Sequence, residues 1–401
     1  MAFTSVDYFG IDDQLSDEEK LVRATFRRFV DDEIMPVIGH HFRDGTFDRA
    51  WPRKLGELGA LGASLHGYGC PGLNPVAYGL IMQELERGDS GVRSFASVQG
   101  ALVMYPIHAF GSEEQKQRWL PAMARGEAIG CFGLTEPDFG SNPGGMRTTA
   151  RRVGDRYVLS GEKRWITSGG LADVAVVWAK TVESDGGDGA GSAAGGSSVR
   201  GFLVERGTPG FSTRDIHGKF SLRASVTSEL IFQDCVVPRS ALLPGVSGLR
   251  GPLSCLNQAR FGISFGAIGA ALACYDEALR YTKERSQFKK PLASHQLVQL
   301  KLVDMLQEIT KAQLLALQLG RLKEAGKIRP QQISLAKRNN VKMALECARN
   351  ARDLLGANGI TDEYQCGRHM CNLESVFTYE GTDHIHTLVV GEDITGIPAF
   401  E

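Results

Sequence analysis

Glu380 is the first residue of this sequence whose setting suggests chemistry. It lies in TYEGTDHIH (378–386), after Val376, Phe377 and Tyr379 and directly before a glycine. If the fold carries this carboxylate into an apolar pocket, desolvation raises its pKa and it can act as a base. If it lies at an edge, its head group reaches water. Taken alone, this stretch favours the edge.

Arg93 is the second candidate, because a guanidinium can bind an anion through two parallel hydrogen bonds. It stands in ELERGDSGVRS (84–94), directly after a predicted helix whose last turn is rich in charges. The ordinary alternative for such an arginine is a solvated surface position.

Two further stretches have residue types that suit a flat or anionic ligand. FGLTEPDFGSN (132–142) carries the hydroxyls of Thr135 and Ser141 among glycines, so backbone N–H groups could approach a heterocycle or a phosphate. RWITSGG places Trp165 and Thr167 on one strand face, where an indole could stack on a ring beside a hydroxyl. An ordinary Gly/Pro turn and a buried core tryptophan are the alternatives.

Other patterns carry no chemistry. GYGCPG (67–72) matches a phosphate-binding glycine pattern, but it contains Pro71 and has no preceding strand, so we predict a turn. His384 and His386 are two residues apart, whereas neighbours on a helix are three or four apart. With no HExxH motif and no paired cysteines, no metal site is predicted.

Three regions with different hydrophobic periods must position these candidates. Residues 1–129 and 239–401 show helical spacing, and residues 130–238 contain short β-branched and aromatic runs separated by glycine turns. The predicted fold is mostly α with a central antiparallel β-barrel or sandwich domain, and the C-terminal region is a four-helix bundle. The Gly/Ser-rich segment 183–198 is predicted to be a loop between two strands.

Composition limits the partners. The chain has 401 residues, 42% hydrophobic and 23% charged, with a net charge of -1, which gives no electrostatic reason to expect nucleic acid or an anionic membrane. Its eight cysteines form no CxxC pair, which fits reduced thiols. The acidic N-terminus lacks a targeting pattern. We therefore expect a cytoplasmic protein, or a mitochondrial matrix protein if a leader was removed.

The order of the motifs resembles the acyl-CoA dehydrogenase family. The motifs that carry this resemblance are, in order, FGLTEPDFGSN, RWITSGGLAD, RSQF followed by Gln296, LLGANGI and TYEGTDHIH. The likeness covers nearly the whole chain. The resemblance implies a helix–sheet–helix fold, FAD as cofactor, a homotetramer and electron-transfer flavoprotein as the electron acceptor.

The resemblance assigns cofactor-binding positions residue by residue. It implies that one set of residues forms the wall of the flavin ring or contacts the diphosphate and adenosine of FAD, some of them across a subunit boundary. These residues are Phe132, Gly133, Leu134, Thr135, Ser141, Trp165, Ile166, Thr167, Arg285, Phe288, Gln296, Asp353, Leu354, Leu355, Gly356, Ala357, Thr382, Asp383 and His384. Ala357 departs from the family, in which many members have a second glycine there.

Glu380 matches the position of the family's catalytic base. ELERGDSGVRS, GKFSLRAS, CLNQARFGI, RNN and ITGIPAF narrow the resemblance to the glutaryl-CoA dehydrogenase branch. This implies that Arg93 binds the terminal carboxylate of glutaryl-CoA. The implied substrate contacts are Glu86, Arg93, Ser94, Ser97, Ser141, Leu253, Ser254, Leu256, Asn257, Arg260, Tyr379, Gly381 and Phe400.

The implied reaction is oxidation of glutaryl-CoA followed by loss of CO2 to give crotonyl-CoA. The alternatives are a non-decarboxylating glutaryl-CoA dehydrogenase, a dehydrogenase of another short-chain acyl-CoA, an acyl-CoA oxidase, and a flavin-carrying protein without turnover. The presence of Glu380 argues against the last, and the release of CO2 or of peroxide separates the others.

Overall fold

The computed structural model describes residues 6–182 and 198–399. All but the last residue of the predicted loop 183–198 lies outside this range, as does Phe400. Within the described residues, no helix is long and apolar enough to cross a bilayer.

The N-terminal region is helical, as predicted. Ser16 and Ser112 each cap a helix with a reciprocal capping box, to Glu19 and Gln115 respectively. GYGCPG forms a small hairpin turn, with strands β1 His66–Gly67 and β2 Cys70–Pro71. The helices are α1 Asp17–Phe29, α2 Met35–Asp44, α3 Trp51–Glu57, α4 Pro75–Gly88, α5 Ser90–Ser97, α6 Tyr105–Phe110 and α7 Glu113–Ala124.

The middle region is a seven-stranded sheet that is mixed rather than wholly antiparallel. Its strands are β3 Gly130–Gly133, β4 Thr149–Val153, β5 Arg156–Thr167, β6 Val174–Val182, β7 Val199–Glu205, β8 Phe211–Asp215 and β9 Thr227–Pro238. Strand β6 pairs in parallel with β3 and with β4, and the other pairings are antiparallel. The continuous apolar run of β6 is buried on both faces, as is usual for strands with parallel partners.

The C-terminal region contains three long helices and two shorter ones. They are α8 Arg250–Glu284, α9 Gln296–Glu324, α10 Pro330–Leu354, α11 Gln365–Thr378 and α12 Asp383–Thr395, with a hairpin of β10 Ser286–Gln287 and β11 Lys290–Pro291 after α8. Helix α8 is buried along most of its length and packs against α4 and α10.

Two glycines allow α8 to approach α4 closely. A Cβ atom on Gly269 would overlap with the carbonyl oxygen of Gln83, and one on Gly266 would overlap with Oε2 of Glu86. Only a residue without a side chain fits at either position. The close approach places Glu86 of α4 against the middle of α8.

Candidate active site

Glu380 lies in the short connection between α11 and α12. Its φ is +52° and that of Gly381 is +93°, so two successive residues adopt left-handed conformations. For a residue with a side chain this costs roughly 1–3 kcal/mol and requires support from the surrounding structure. A side chain at position 381 would also crowd Nε2 of His386, at 2.8 Å from its Cβ.

Two cations, the buried Lys337 and the half-buried Arg260, supply this support by binding three successive carbonyl groups. Lys337 Nζ donates to the carbonyl oxygen of Tyr379 at 2.9 Å and to that of Gly381 at 2.7 Å. Arg260 Nε donates to the carbonyl oxygen of Glu380 at 2.7 Å. The connection is therefore held from α10 and α8 at once.

The carboxylate of Glu380 is enclosed. Its Oε2 atom is buried and has no hydrogen-bond partner among the described residues. Burial raises the pKa of Glu380 above its ordinary value, although the charges of Arg93, Lys337 and Arg260 oppose the shift. Glu380 is thus a pocket carboxylate with the raised pKa that suits a base, and the edge interpretation is wrong.

Arg93 is fully buried, with 0% of its surface exposed, so the solvated alternative is wrong. Its Nε donates to Glu86 Oε2 at 2.7 Å, and its Nη2 donates to the hydroxyl of Tyr379 and, at 3.4 Å, to Glu86 Oε1. Ser94 Oγ donates to the same hydroxyl at 3.3 Å. Burial by itself lowers the pKa of Arg93, but the charges of Glu86, Tyr379 and Glu380 and the hydrogen bond to Glu86 together outweigh it, and the pKa lies above its ordinary value.

Three side-chain donors near Arg93 have no partner in full hydrogen-bond geometry among the described residues, although the hydroxyls of Ser97 and Tyr78 lie close enough to interact. They are Nη1 of Arg93, Oγ of Ser97 and the hydroxyl of Tyr78, all buried. The charges of Arg93 and Glu380 both act on Tyr78, whose pKa burial raises to about 12. An unsatisfied buried polar atom costs about 1–3 kcal/mol, so three together indicate a ligand that accepts hydrogen bonds.

Tyr78 and Lys337 were missed by the sequence analysis. Tyr78 occupies an apolar position of α4 and stacks on Phe261 at 6.3 Å between ring centroids. Lys337 directly precedes the RNN motif of α10. A buried lysine cannot be recognised from local spacing, and only the carbonyls of the Glu380 connection reveal its role.

The first turns of α8 carry the remaining predicted substrate contacts. Asn257 Oδ1 accepts from Nη1 of Arg260 at 3.3 Å, so these two side chains lie together. Ser254 Oγ donates to the carbonyl oxygen of Gly251, Leu253 is exposed and Leu256 is half-buried. Arg260 thus links this part of α8 to Glu380.

Trp165 lies at an irregularity of strand β5. Its φ is +63°, the pairing with β9 shifts between Lys163 and Ile166, and 55% of the side chain is exposed. A buried core position is therefore wrong. Ile166 is buried beneath it, and Thr167 is half-buried.

The preceding loop is fixed beside this strand. Thr135 accepts the backbone N–H of Arg164 at 2.8 Å, and Glu136 pairs with the buried Lys163 at 2.8 Å. Phe132, Gly133 and Leu134 are buried, and Ser141 is exposed at the far end of the loop. The loop and the exposed indole form one rim of the sheet.

A loop before β9 ties this rim to α11, the helix that precedes Glu380. Ser168 N–H donates to the carbonyl oxygen of Val226 at 2.9 Å. Four residues earlier, Leu222 N–H donates to Asn372 Oδ1 of α11 at 2.8 Å. The sheet is therefore docked on α11, which leads directly into Glu380.

Family models match the chain in three consecutive pieces. The N-terminal domain of acyl-CoA dehydrogenases matches residues 16–127, the middle domain residues 131–235 and the C-terminal domain residues 247–395. The chain belongs to the acyl-CoA dehydrogenase family.

Individual relatives agree with this placement. The mitochondrial short-chain specific acyl-CoA dehydrogenase of Bos taurus is 35% identical over 380 residues, which are 94% of this chain and 90% of that protein. The glutaryl-CoA dehydrogenase of Mycobacterium smegmatis in complex with FADH2 is 53% identical, with a TM-score of 0.93 and 98% of both chains covered. A glutaryl-CoA dehydrogenase in complex with glutaryl-CoA is 31% identical, with a TM-score of 0.87, 95% of this chain and 96% of that chain covered.

The cofactor of this acyl-CoA dehydrogenase is FAD. The residues present fit an isoalloxazine ring, because the exposed indole of Trp165 offers a stacking surface on the strand that also carries the half-buried Thr167. Thr382 caps α12 through Ile385 N–H at 3.2 Å, Asp383 pairs with Arg338 at 3.3 Å, and His384 is exposed.

The remaining predicted cofactor residues of this acyl-CoA dehydrogenase lie at the far end of the bundle. Arg285 follows the last residue of α8, roughly 37 Å from Arg260 by helical rise. Phe288 is 87% exposed and Gln296 begins α9. Asn358 donates to the hydroxyl of Tyr281 near the end of α8, which places the residues just before it at the same end of the bundle. These are Asp353, which pairs with Lys301, and Leu354, Leu355, Gly356 and Ala357.

One chain therefore carries two separated parts of the predicted cofactor site. Arg260 contacts Glu380, which lies two residues before the predicted cofactor residues Thr382 to His384, and Arg285 lies roughly 37 Å further along α8. The structure brings Glu380, Arg260 and Arg93 together, and it does not bring Arg285 to them.

Proposed function

We propose that this protein oxidises glutaryl-CoA and then decarboxylates the product to crotonyl-CoA. The proposal rests on the buried guanidinium of Arg93: in the part of the chain that the structure describes, its Nη1 has no partner and the buried hydroxyls of Ser97 and Tyr78 make no full hydrogen bond. A substrate that ends in a methyl group would leave these donors unsatisfied. A terminal carboxylate accepts hydrogen bonds from all three kinds of donor.

Glu86 has a supporting role in this proposal. It pairs with Nε and Nη2 of Arg93, which balances the buried charge and fixes the plane of the guanidinium. The remaining Nη1 edge is thereby held in one direction. Glu86 binds the arginine, and the substrate carboxylate binds the opposite side.

In the first step, Glu380 takes the α-proton of the thioester. Its raised pKa brings the carboxylate closer to the strength needed to remove a weakly acidic C–H proton. The N–H of Glu380 has no acceptor among the described residues and is free to donate to the thioester oxygen, where negative charge develops. FAD, when bound, accepts the β-hydride.

In the second step, the γ-carboxylate leaves as CO2. The electron pair of the broken C–C bond is delocalised through the double bond into the thioester carbonyl. Protonated Glu380 returns its proton to carbon and yields crotonyl-CoA. Atoms and charge balance without a second base, so one carboxylate serves both steps.

An anaerobic titration tests this function. Glutaryl-CoA is added to the FAD-loaded protein, the flavin absorbance is followed, and crotonyl-CoA and CO2 are assayed after an artificial acceptor is supplied. We expect bleaching followed by both products. Bleaching without CO2 would remove the second step and retain the first, and a protein that glutaryl-CoA leaves yellow would contradict the assignment.

A short-chain acyl-CoA dehydrogenase is the second candidate. It is supported by the 35% identity to the short-chain specific enzyme of Bos taurus and by the charge balance that Glu86 already gives Arg93. Bleaching by butyryl-CoA and not by glutaryl-CoA would establish it.

We further infer that the cofactor site is completed between subunits of a homotetramer. At the far end, α9 exposes an apolar face that consists of Leu297, Leu300 and Val303. Two more exposed apolar residues are close in sequence to predicted diphosphate contacts, Phe288 to Arg285 and Ile360 to Gly356. A second copy that covers this face would also carry its Arg285 towards the other chain's flavin wall. The resemblance also supports a tetramer, which sedimentation of the holoprotein tests. It likewise supports electron-transfer flavoprotein as the electron acceptor, which reduction of that flavoprotein by the substrate-loaded protein tests.

A further inference from the structure

The carbonyl groups of residues 379–381 all face two cations. Lys337 Nζ lies 2.9 Å and 2.7 Å from the first and third of these oxygens, and Arg260 Nε lies 2.7 Å from the second. Lys337 is 1% exposed, so water does not compete for its ammonium hydrogens. Two of its three donors are used on this one connection.

This arrangement fixes where the amide groups point. In a planar trans peptide the N–H lies opposite the C=O. Because the carbonyls of Tyr379 and Glu380 point at the cations, the N–H groups of Glu380 and Gly381 point away from them. The described residues supply no acceptor for either N–H.

We propose that Lys337 is a positioning residue of the reaction, which holds the connection so that the carboxylate and the amide N–H of Glu380 address the same substrate. The inference rests on the proposed function. Without the two carbonyl contacts, the left-handed conformation of Glu380 loses two of the three side-chain hydrogen bonds that hold the carbonyl groups of residues 379–381.

The charges around Lys337 give the proposal a second readout. Burial, together with the charges of Arg260 and Arg93, lowers the pKa of Lys337 to about 7 against the opposing charges of Glu380 and Asp383. His386 stays neutral, because burial and the two neighbouring cations lower its pKa to about 3.

Around Glu380, the charge of Lys337 acts with those of Arg93 and Arg260 to lower the carboxyl pKa, and Glu86 acts against them. Tyr379, whose pKa burial raises, stays neutral. Removing the lysine charge therefore raises the pKa of Glu380. As the pH falls, Glu380 is then protonated at a higher pH than in the unmodified protein, and the rate of flavin bleaching declines at that higher pH.

The test compares Lys337→Met and Lys337→Arg with Lys342→Met, a control at an exposed position of the same helix. Bound flavin per chain is measured first, and the limiting rate of anaerobic flavin bleaching by glutaryl-CoA is then measured between pH 6 and 9. For Lys337→Met we expect retained FAD, a rate lower by about 100-fold and an acidic limb displaced to higher pH. Lys337→Arg should recover part of the rate, and Lys342→Met should match the unmodified protein.

An unchanged limiting rate and an unchanged acidic limb in Lys337→Met would overturn the inference. If that variant does not fold, Lys337→Gln, which keeps one donor and no charge, takes its place with the same criteria. Bleaching of the unmodified protein by neither glutaryl-CoA nor butyryl-CoA would overturn the proposed function itself. The two failures are therefore distinguishable.

Discussion

The two ends of the helical bundle are built in opposite ways. Around Glu380, charged groups from α4, α5, α8 and α10 are buried and paired within one chain. At the other end, Arg285, Phe288 and Gln296 are exposed beside an apolar face of α9. The first end is organised by contacts within one chain, whereas these three side chains of the second end are exposed in one chain.

This difference shows which part of the function folding alone secures. Proton transfer needs a carboxylate of raised pKa and a fixed geometry, and a single chain supplies both. Contacts to the diphosphate and adenosine are predicted for Arg285, Gln296 and Asp353, which lie apart from Glu380 on one chain. We therefore expect substitutions at the buried end to change the reaction rate or the choice of substrate. Substitutions at the exposed end should change the association of subunits and the retention of FAD.

The largest expected effect is that of Glu380→Gln. The amide cannot take a proton, so flavin bleaching by glutaryl-CoA should slow by about 10⁴-fold, because a positioned base contributes up to that factor. Stopped-flow absorbance measures the rate, and the visible spectrum should show unchanged FAD content. A rate within tenfold of the unmodified protein would exclude Glu380 as the base.

Next in size is the effect of Arg93→Met on substrate choice. Loss of the guanidinium leaves Glu86 buried without its partner, at a cost of about 3–5 kcal/mol. The double variant Arg93→Met with Glu86→Gln removes that complication. We expect kcat/KM for glutaryl-CoA to fall by about 10²-fold in the double variant, since a charged contact of about 3 kcal/mol is lost, with little change for butyryl-CoA. Equal losses for both substrates would show that Arg93 does not read the carboxylate.

A smaller effect is expected at the exposed end. Leu297→Asp places a charge on the apolar face of α9 and should weaken assembly by about 2 kcal/mol, roughly 30-fold in the dissociation constant. Sedimentation at several protein concentrations measures this, and FAD should be lost in parallel. Leu335→Asp, at an exposed position of α10, is the matched control. A dissociated protein that retains FAD would contradict a cofactor site shared between chains.

The smallest effect tests the close approach of α4 and α8. Gly266→Ala introduces a methyl group against Oε2 of Glu86 and should destabilise the protein by about 1–3 kcal/mol. Thermal unfolding measures the loss. Gly391→Ala, where nothing lies within 4 Å of the added Cβ, should leave the midpoint unchanged or slightly raised. Equal midpoints for the two variants would show that the helices can separate without cost.

Local patterns predicted the elements well. The helix–sheet–helix order and the turn at GYGCPG are both present. These features depend on residues within a few positions of one another. The parallel pairing of β6 was not predicted, because a buried strand's apolar run does not identify its neighbours in the sheet.

The sequence by itself determined the classes of element, a nearly neutral net charge, and cysteines that form no CxxC pair. Through resemblance it also determined the family and the candidate base. Only the tertiary structure decided that Arg93 is buried, that Trp165 is exposed, and that Tyr78 and Lys337 belong to the site. Arg93 meets Tyr379 across 286 positions of the chain. Burial and ion pairing arise from such distant contacts, and they set the pKa of Glu380, which no local spacing encodes.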